Sequence, residues 1–414
     1  MRTITEPARQ LPIISQSDVV VAGGGPGGIV AALAAARAGA KTLLIERYGF
    51  LGGMATAGLM TSFNGFRNEV PPNHVQTVRG IAQEIVDRLL FAGGACACTA
   101  HGNFGELKPG QCPYAVSFDP EVLKRIALEM LDEAGVRIML HTLFCRTLGE
   151  GRSIDALAVE SKSGRATVKG SIYIDATGDG DVAFSAGAGF EKAVTNEERL
   201  MAATLMYRLA GIPRPADKER RLWINGMTTS WGPGVAEVDA SDVGSLTRAE
   251  IQARAALPGH IDEWRKSFPQ ASLVETATII GIRESRRIKG LYTITEEDCL
   301  SGRPHQDSIA VSSNPVPAYY GERRFLNHLG FEIPYRSLVP ADLDNLILAG
   351  RCISACQPAF QSARSMAPLM AISQAAGAAA ALCVAGKRSP MALDPAALQE
   401  RLVRDGAVVR IPKA

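Results

Sequence analysis

The sequence carries three glycines at G-x-G-x-x-G spacing, Gly23, Gly25 and Gly28. They directly follow a short apolar run at residues 19–22, which predicts a buried parallel strand. The apolar, alanine-rich residues 29–38 come next and have the length and composition of a helix that ends at Gly39. A second predicted strand spans residues 41–45, and Glu46 stands at its tip. This order predicts a parallel βαβ unit and constrains the fold more than any other feature.

Each part of this unit has a physical role in binding a dinucleotide. The first glycine makes a tight turn, the second lets the backbone approach a pyrophosphate, and the third lets helix and strand pack closely. The N-terminus of the helix presents unpaired N–H groups to the phosphates. Glu46 is placed to bind ribose hydroxyls. The unit therefore predicts a Rossmann-like dinucleotide site.

Three further segments carry a resemblance to known flavoproteins. The segment RYGFLGGMATAGL, residues 47–59, resembles the part of glutathione-reductase-type flavoproteins where a Gly-Gly pair approaches the FAD pyrophosphate. Residues 172–178, IYIDATG, resemble the second FAD motif of that superfamily, and residues 346–351, LILAGR, resemble its last one. Asp often follows the glycine of the last motif, whereas this chain has Arg351.

Residues 346–379 and the segment RESRRIKG, residues 283–290, are similar to the FAD-dependent oxidoreductase family with tricarballylate-dehydrogenase-like and fumarate-reductase-like members. This resemblance implies an enzyme with FAD as its cofactor. Residues 48–59 contain no His that could attach the flavin, so we expect non-covalent FAD. The sequence has a single full G-x-G-x-x-G fingerprint, which argues against a second, dedicated NAD(P)H site.

The motif and the resemblance together predict a set of FAD-binding residues. Within it, Phe144 is expected to place backbone against adenine. The start of a helix at residues 364–366 is expected to stabilise negative charge at the N1–C2=O edge of reduced flavin. The set comprises Gly23, Gly25, Pro26, Gly27, Gly28, Glu46, Arg47, Gly52, Gly53, Met54, Phe144, Ala176, Thr177, Gly178, Gly350, Arg351, Arg364, Ser365 and Met366.

The expected reaction is that of a dehydrogenase or oxidase, with hydride passing from a small polar or anionic organic substrate to flavin N5. Arg286 and Arg336 are the candidate clamps for a substrate carboxylate, because a guanidinium binds a carboxylate through two parallel hydrogen bonds. A structural Arg that bridges two domains is an equally good interpretation of either residue. His305 and Tyr335 are the candidate proton acceptors, although a His in a solvent-exposed loop is the more common case.

The fold class that follows is α/β. A Rossmann-like FAD-binding domain, with a parallel sheet, helices and a β-meander, is expected at residues 1–183 and 331–414. Residues 184–330 interleave Met, Trp, Pro and charged residues without a βαβ rhythm, and we interpret them as an inserted α+β substrate domain. Within that insert, residues 276–295 are expected to be largely strand.

Composition limits the partners and the location of the protein. The 414 residues are 46% hydrophobic with a net charge of +2, which does not suggest a nucleic-acid partner. The N-terminus lacks the apolar region of a signal peptide. Residues 366–385 come closest to a membrane span, but their Gln, Gly and Ala content favours a helix buried in protein. We expect a cytoplasmic enzyme with a small-molecule substrate and no membrane partner, and leave a homodimer open.

Two other functions remain open at this point. Cys352 and Cys356 could serve a thiol–disulfide flavoenzyme, although C-x-x-x-C is not a standard redox spacing. An RNA-associated flavoprotein is the other alternative. The spacing of Cys96, Cys98 and Cys112 fits no common zinc or iron–sulfur pattern, so no metal site is expected.

Overall fold

The computed structural model describes residues 2–69, 75–98, 112–193, 200–213, 222–318, 322–326 and 328–412. The strands are β1 (Ile13–Gln16), β2 (Val19–Ala22), β3 (Thr42–Ile45), β4 (Ser62–Asn64), β5 (Ala95–Cys98), β6 (Ala115–Phe118), β7 (Arg137–Met139), β8 (Leu143–Leu148), β9 (Ala156–Ser161), β10 (Gly164–Lys169), β11 (Ile172–Asp175), β12 (Phe190–Glu191), β13 (Ala203–Thr204), β14 (Tyr207–Ala210), β15 (Leu222–Ile224), β16 (Met227–Ser230), β17 (Gly234–Val235), β18 (Ser272–Thr276), β19 (Arg287–Ile288), β20 (Ser308–Ser312), β21 (Phe331–Pro334) and β22 (Leu346–Leu348). The helices are α1 (Pro26–Arg37), α2 (Ile81–Phe91), α3 (Pro120–Glu133), α4 (Asp181–Ser185), α5 (Val243–Ser267), α6 (Glu296–Ser301), α7 (Gln357–Ala363), α8 (Met366–Gly386) and α9 (Pro395–Arg404).

A five-stranded parallel sheet in the order β22-β11-β2-β3-β7 forms the centre of the protein. Its inner strands are buried along their whole length, which explains why they are continuous apolar runs rather than alternating ones. Helix α1 connects β2 to β3, as the glycine motif predicts. The α/β fold class is therefore confirmed.

The β-meander is also present. Strands β8, β9 and β10 are antiparallel neighbours, and β1 joins the edge of β10 in parallel. Helix α3 leads into β7, and it begins where the sequence indicates. The Asp119 carboxylate accepts a hydrogen bond from the backbone N–H of Glu121, and Pro120 occupies the first helical position, where no N–H is needed.

Helix α8 is long and apolar enough to cross a membrane by length and composition alone. In the protein it is a core helix, buried against α1 and the central sheet. The two helices touch closely at Gly377, where an added Cβ would lie 2.1 Å from the carbonyl oxygen of Ala31. The small residues of α8 therefore serve helix packing, as the sequence predicts.

The inserted region contains an antiparallel sheet in the order β15-β16-β14-β18, with the long helix α5 beside it. Tyr207 and Leu209 of that sheet pack with Leu257 and Ile261 of α5. The expectation that residues 276–295 are largely strand is wrong. Strand β18 ends at Thr276, and the next strand, β19, has two residues, Arg287 and Ile288. Residues 279–283 instead line a cavity. Strand β20, still inside the expected insert, pairs with β21 of the return segment.

Candidate active site

A cavity of about 940 Å³ opens at the carboxyl ends of the central strands. Residues within the first two positions after β2, β3, β11 and β22 contribute to its wall, and segments of the inserted region form the opposite side. In open parallel sheets this edge is the usual place for ligands. The predicted motifs, distant in sequence, therefore meet at one site.

The glycine loop forms a cradle with a definite shape. An added Cβ at Gly28 would lie 1.8 Å from the carbonyl oxygen of Gly23, so α1 and the loop after β2 can touch only because residue 28 has no side chain. Gly25 differs, since an added Cβ there would meet nothing closer than the Cα of Gly53 at 3.9 Å. Gly25 therefore keeps space open inside the cavity rather than inside the core.

Glu46 is buried at the tip of β3, and its carboxylate is held by two backbone N–H groups. Gly24 N–H donates to Oε2 at 2.7 Å, and Tyr48 N–H donates to Oε1 at 2.9 Å. Each carboxylate oxygen can accept a second hydrogen bond. The carboxylate is thus fixed in position at the cavity wall and retains acceptor capacity for hydroxyl groups.

The Gly-Gly pair approaches the glycine loop directly. Gly52 and Gly53 both have positive φ angles, of 111° and 47°. An added Cβ at Gly53 would lie 2.8 Å from the Cα of Gly25, so residue 53 must be glycine where these backbones meet. Gly53 and Met54 line the cavity, whereas Gly52 and Gly28 support it from behind.

The loop after β11 is held by a fully buried carboxylate. Asp175 accepts hydrogen bonds from the N–H and Oγ1 of Thr177 and, through its other oxygen, from the N–H of Ala183. Burial raises the pKa of Asp175 to about 6, and the hydrogen bonds oppose that rise. These bonds fix Ala176, Thr177 and Gly178 at the cavity wall and tie them to the start of α4.

Two arginines bind the carboxylates that follow this loop. Arg351 donates to Asp179 Oδ1 at 3.1 Å and to the carbonyl oxygen of Ile282 at 2.5 Å. Arg286 donates to Asp181 Oδ1 at 2.8 Å and to the carbonyl oxygen of Asp179 at 3.0 Å. Its guanidinium also lies over the ring of Phe184, 4.1 Å from the ring centroid. Both arginines line the cavity, and both join its wall to the inserted region.

The N-terminus of α8 also reaches the cavity. Arg364, Ser365 and Met366 line it, and the first helical hydrogen bond runs from Leu369 N–H to the carbonyl oxygen of Ser365. The N–H groups of the first turn have no acceptor inside the helix. The positive end of α8 is therefore directed at the cavity, where it can interact with a negatively charged group.

Comparison with known proteins agrees with this geometry. The sequence profile described as FAD dependent oxidoreductase matches residues 18–233 and 214–402. The chain belongs to the FAD-dependent oxidoreductase family. Membership makes the protein an enzyme and FAD its cofactor. The narrower resemblance to tricarballylate-dehydrogenase-like and fumarate-reductase-like members stays a prediction.

Individual relatives are more distant. Dihydrolipoyl dehydrogenase of Trypanosoma brucei brucei is 58% identical over 45 residues, which are 11% of this chain and 9% of that protein. The match therefore spans about a tenth of that relative. Among solved structures, the myxobacterial chondrochloren halogenase superposes with a TM-score of 0.52 at 15% sequence identity. The superposition covers 94% of this chain and 79% of the halogenase chain. A flavin-dependent brominase superposes with a TM-score of 0.52 at 14% identity, over 93% of this chain and 83% of the brominase chain. At such identities the likeness shows the fold alone.

The residues of this oxidoreductase fit FAD in several respects. Most of the expected FAD-binding residues line the cavity, namely Gly23, Gly25, Pro26, Gly27, Glu46, Arg47, Gly53, Met54, Phe144, Ala176, Thr177, Gly178, Gly350, Arg351, Arg364, Ser365 and Met366. The open space beside Gly25, the fixed carboxylate of Glu46 and the helix N-terminus suit pyrophosphate and ribose. The structure thus brings the expected set together, while the role of each residue stays a proposal.

Three of the four expected catalytic residues lie away from the cavity. Arg336 is engaged by Asp307, to which its Nε donates at 2.9 Å and its Nη2 at 3.2 Å. The buried Tyr335 hydroxyl donates to the carbonyl oxygen of Pro390 at 3.0 Å. His305 is buried edge-on against the ring of Tyr292, and burial lowers its pKa. Of the four expected catalytic residues, Arg286 lines the cavity, and the other three lie outside its lining as the described residues form it.

The cysteine pair is also separate from the cavity. Cys352 is fully buried, and burial raises its pKa well above that of an ordinary thiol. Burial raises the pKa of Cys356 as well. Neither side chain lines the cavity as the described residues form it. A thiolate at either position is disfavoured, so the structure gives the thiol–disulfide alternative no support.

Sequence reasoning expected the inserted region to bind substrate but missed most of the residues through which it lines the site. Helix α5 presents Val243, Leu246, Thr247 and Glu250 to the cavity. Their spacing of i, i+3, i+4 and i+7 marks one helix face and could have identified them. The polar residues Tyr114 and Asn314 also line the cavity, with the Tyr114 hydroxyl donating to Asn314 Oδ1 at 3.0 Å. No spacing signal connects these two positions.

Proposed function

We propose that this enzyme binds FAD non-covalently, with the ADP part on the glycine loop, and oxidises a small organic molecule as a dehydrogenase or oxidase. The observation that carries the proposal is the space beside Gly25. A residue whose missing side chain opens only into a cavity, at the N-terminus of α1, suits a pyrophosphate. When bound, FAD supplies the hydride acceptor, its N5 atom.

The protein groups then divide into two sets. The N–H groups at the start of α1 bind the pyrophosphate, and the free acceptor positions of Glu46 bind ribose hydroxyls. Phe144 would place backbone against the adenine of bound FAD. At the other end, the N-terminus of α8 at Ser365 and Met366 would stabilise negative charge on the flavin when it is reduced.

The substrate occupies the part of the cavity bounded by the inserted region. A carboxylate clamp by Arg286, expected from sequence, would require this side chain to leave Asp181, its partner at 2.8 Å. Breaking such a pair leaves an uncompensated carboxylate. Arg286 is therefore better suited to hold the loop after β11 against the inserted region, and the substrate contacts come from other residues.

Two measurements on the purified protein test the proposal. Mass spectrometry of the released cofactor should identify FAD, and a protein that takes up only FMN, or no flavin after reconstitution, would contradict the assignment. An anaerobic screen of small alcohols, amines, acids and ring compounds should then reveal a donor that bleaches the flavin. Because bleaching requires electron transfer to the bound flavin, it separates an oxidoreductase from a protein that merely carries FAD.

A further inference from the structure

The inserted region builds an apolar chamber within the cavity. Five residues form it, and we call them the insert chamber: Met206, Trp231, Leu246, Ile280 and Ile282. All five belong to one hydrophobic cluster, so the chamber is a continuous surface rather than scattered side chains. Apolar surface of this kind gains free energy when a ligand removes it from water.

The chamber is fixed in shape before any ligand arrives. The Glu250 carboxylate of α5 accepts a hydrogen bond from the N–H of Ile280 at 2.6 Å, which ties the helix to the segment that carries Ile280 and Ile282. On the same face as Leu246, α5 buries Ala249 and Ala253 in the cluster, which packs the helix against the apolar residues of the chamber. A chamber whose walls are already packed and hydrogen-bonded binds ligands by shape at low ordering cost.

The polar groups around the chamber are already used inside the protein. The Ser241 hydroxyl donates to Asp239 Oδ1 at 2.6 Å and accepts from Lys192 at 2.9 Å. The Thr204 hydroxyl accepts from Arg283 at 2.6 Å. The Thr247 hydroxyl donates to the carbonyl oxygen of Val243 within α5. A polar ligand would have to displace these bonds.

Three arginines of the cavity wall are likewise paired with carboxylates, while three others have different contacts: Arg47 lies over the ring of Tyr48, Arg283 donates to Thr204, and Arg364 contacts the sulfur of Met201. Arg286 pairs with Asp181, Arg351 with Asp179, and Arg323 with Glu69, and all six line the cavity. An anionic substrate that recruited one of these three paired arginines would leave its carboxylate partner without a counter-charge.

We infer that the substrate is an uncharged organic molecule with an apolar body, such as a ring or a branched hydrocarbon, seated in the insert chamber. This inference rests on the proposed function, because the chamber is a substrate site only if FAD fills the other part of the cavity. It replaces the small polar or anionic substrate expected from sequence with a neutral, largely apolar molecule recognised by burial and shape.

The test titrates the FAD-loaded protein with benzyl alcohol and with benzoate, two probes that share a ring and differ in charge. Binding is followed through the change in the flavin absorption spectrum, which requires no turnover. We expect benzyl alcohol to bind at least about tenfold more tightly, a difference of roughly 1.4 kcal/mol. Equal or tighter binding of benzoate, or no spectral change with benzyl alcohol up to its solubility limit, would overturn the inference.

Variants locate the binding site. Leu246→Ala and Ile282→Ala, on separate segments, should each weaken benzyl alcohol binding by about tenfold, because each removes apolar contact area. Ile251→Ala is the matched control, since Ile251 lies on α5 but is 66% exposed and outside the cavity lining. Unchanged affinity in both chamber variants, at normal FAD content, sinks the inference. A wild-type protein that takes up no FAD sinks the proposed function instead.

Discussion

Replacing Gly25 by Ala separates cofactor binding from folding. Gly25 has φ −69° and ψ −179°, an extended conformation that Ala adopts without strain. The added methyl would meet no atom of the protein closer than 3.9 Å. It would instead occupy the space that the proposed pyrophosphate needs. The same methyl at Gly28 would lie 1.8 Å from a backbone oxygen, so the two glycines form a matched pair.

The magnitudes for Gly25→Ala can be worked out from this geometry. Ala restricts the unfolded chain more than Gly does, which raises the free energy of unfolding of the variant by about 0.4–1 kcal/mol. Ala is a poorer N-cap than Gly, which costs an amount of the order of 0.5–1 kcal/mol and offsets the gain. The free energy of unfolding of the FAD-free protein should therefore change by less than about 1 kcal/mol. Losing even one charge-assisted hydrogen bond to the pyrophosphate would cost about 1.5–3 kcal/mol, or roughly 10- to 150-fold in FAD affinity.

Two assays check this prediction. FAD affinity is measured by titrating the FAD-free protein, and stability by thermal unfolding of the same preparation. Gly28→Ala should lower stability by about 1–3 kcal/mol, because helix α1 must move off the loop after β2. If Gly25→Ala binds FAD as tightly as the wild type, or unfolds as easily as Gly28→Ala, the placement of the pyrophosphate is wrong.

Three further predictions concern residues around the site. Arg286→Lys keeps the charge but loses the planar fork, so the FAD-free protein should be destabilised by about 1 kcal/mol, a modest value because the Asp181 side chain is 46% exposed. Arg336→Lys, the control outside the cavity, should leave flavin reduction at the wild-type rate. Cys356→Ser should also leave flavin reduction unchanged, whereas loss of reduction would revive thiol chemistry. Burial raises the pKa of Asp175 from 3.8 to about 6, so the folded state binds this proton more tightly and its stability falls as pH rises through that interval. Asp175→Asn should flatten this part of the pH profile of thermal unfolding, and an unaltered profile would contradict the assignment.

The parts of the fold that sequence predicts well are those with local signals. Helix α3 begins at the N-cap that the sequence indicates, because caps and prolines act within a few residues. The glycine motif places β2, α1 and β3 for the same reason. The prediction that residues 276–295 are largely strand does not hold, because the apolar β-branched residues of this segment line a cavity instead of pairing in a sheet.

The positions of Tyr335 and Arg336 depend on partners that are distant in sequence. Both follow β21, which pairs with β20; Asp307 binds Arg336, and the carbonyl oxygen of Pro390 accepts from the Tyr335 hydroxyl. These partners lie 29 and 55 positions away. Nearness in sequence to a cofactor motif does not place a side chain in the cofactor cavity when the intervening strand turns it elsewhere.

The departure at Arg351 shows how a change in one motif is accommodated by the fold. Where relatives of this type often carry Asp after the glycine, the guanidinium of Arg351 is matched by Asp179, a carboxylate from the neighbouring motif 172 positions away. The pair keeps a charged, hydrogen-bonding wall at the same point of the cavity. The second bond of Arg351, to the carbonyl oxygen of Ile282, reaches the insert chamber. Arg351 therefore joins the wall of the proposed cofactor site to the wall of the proposed substrate site. An Asp at position 351 could not make this connection, because a carboxylate has no donor for a carbonyl oxygen.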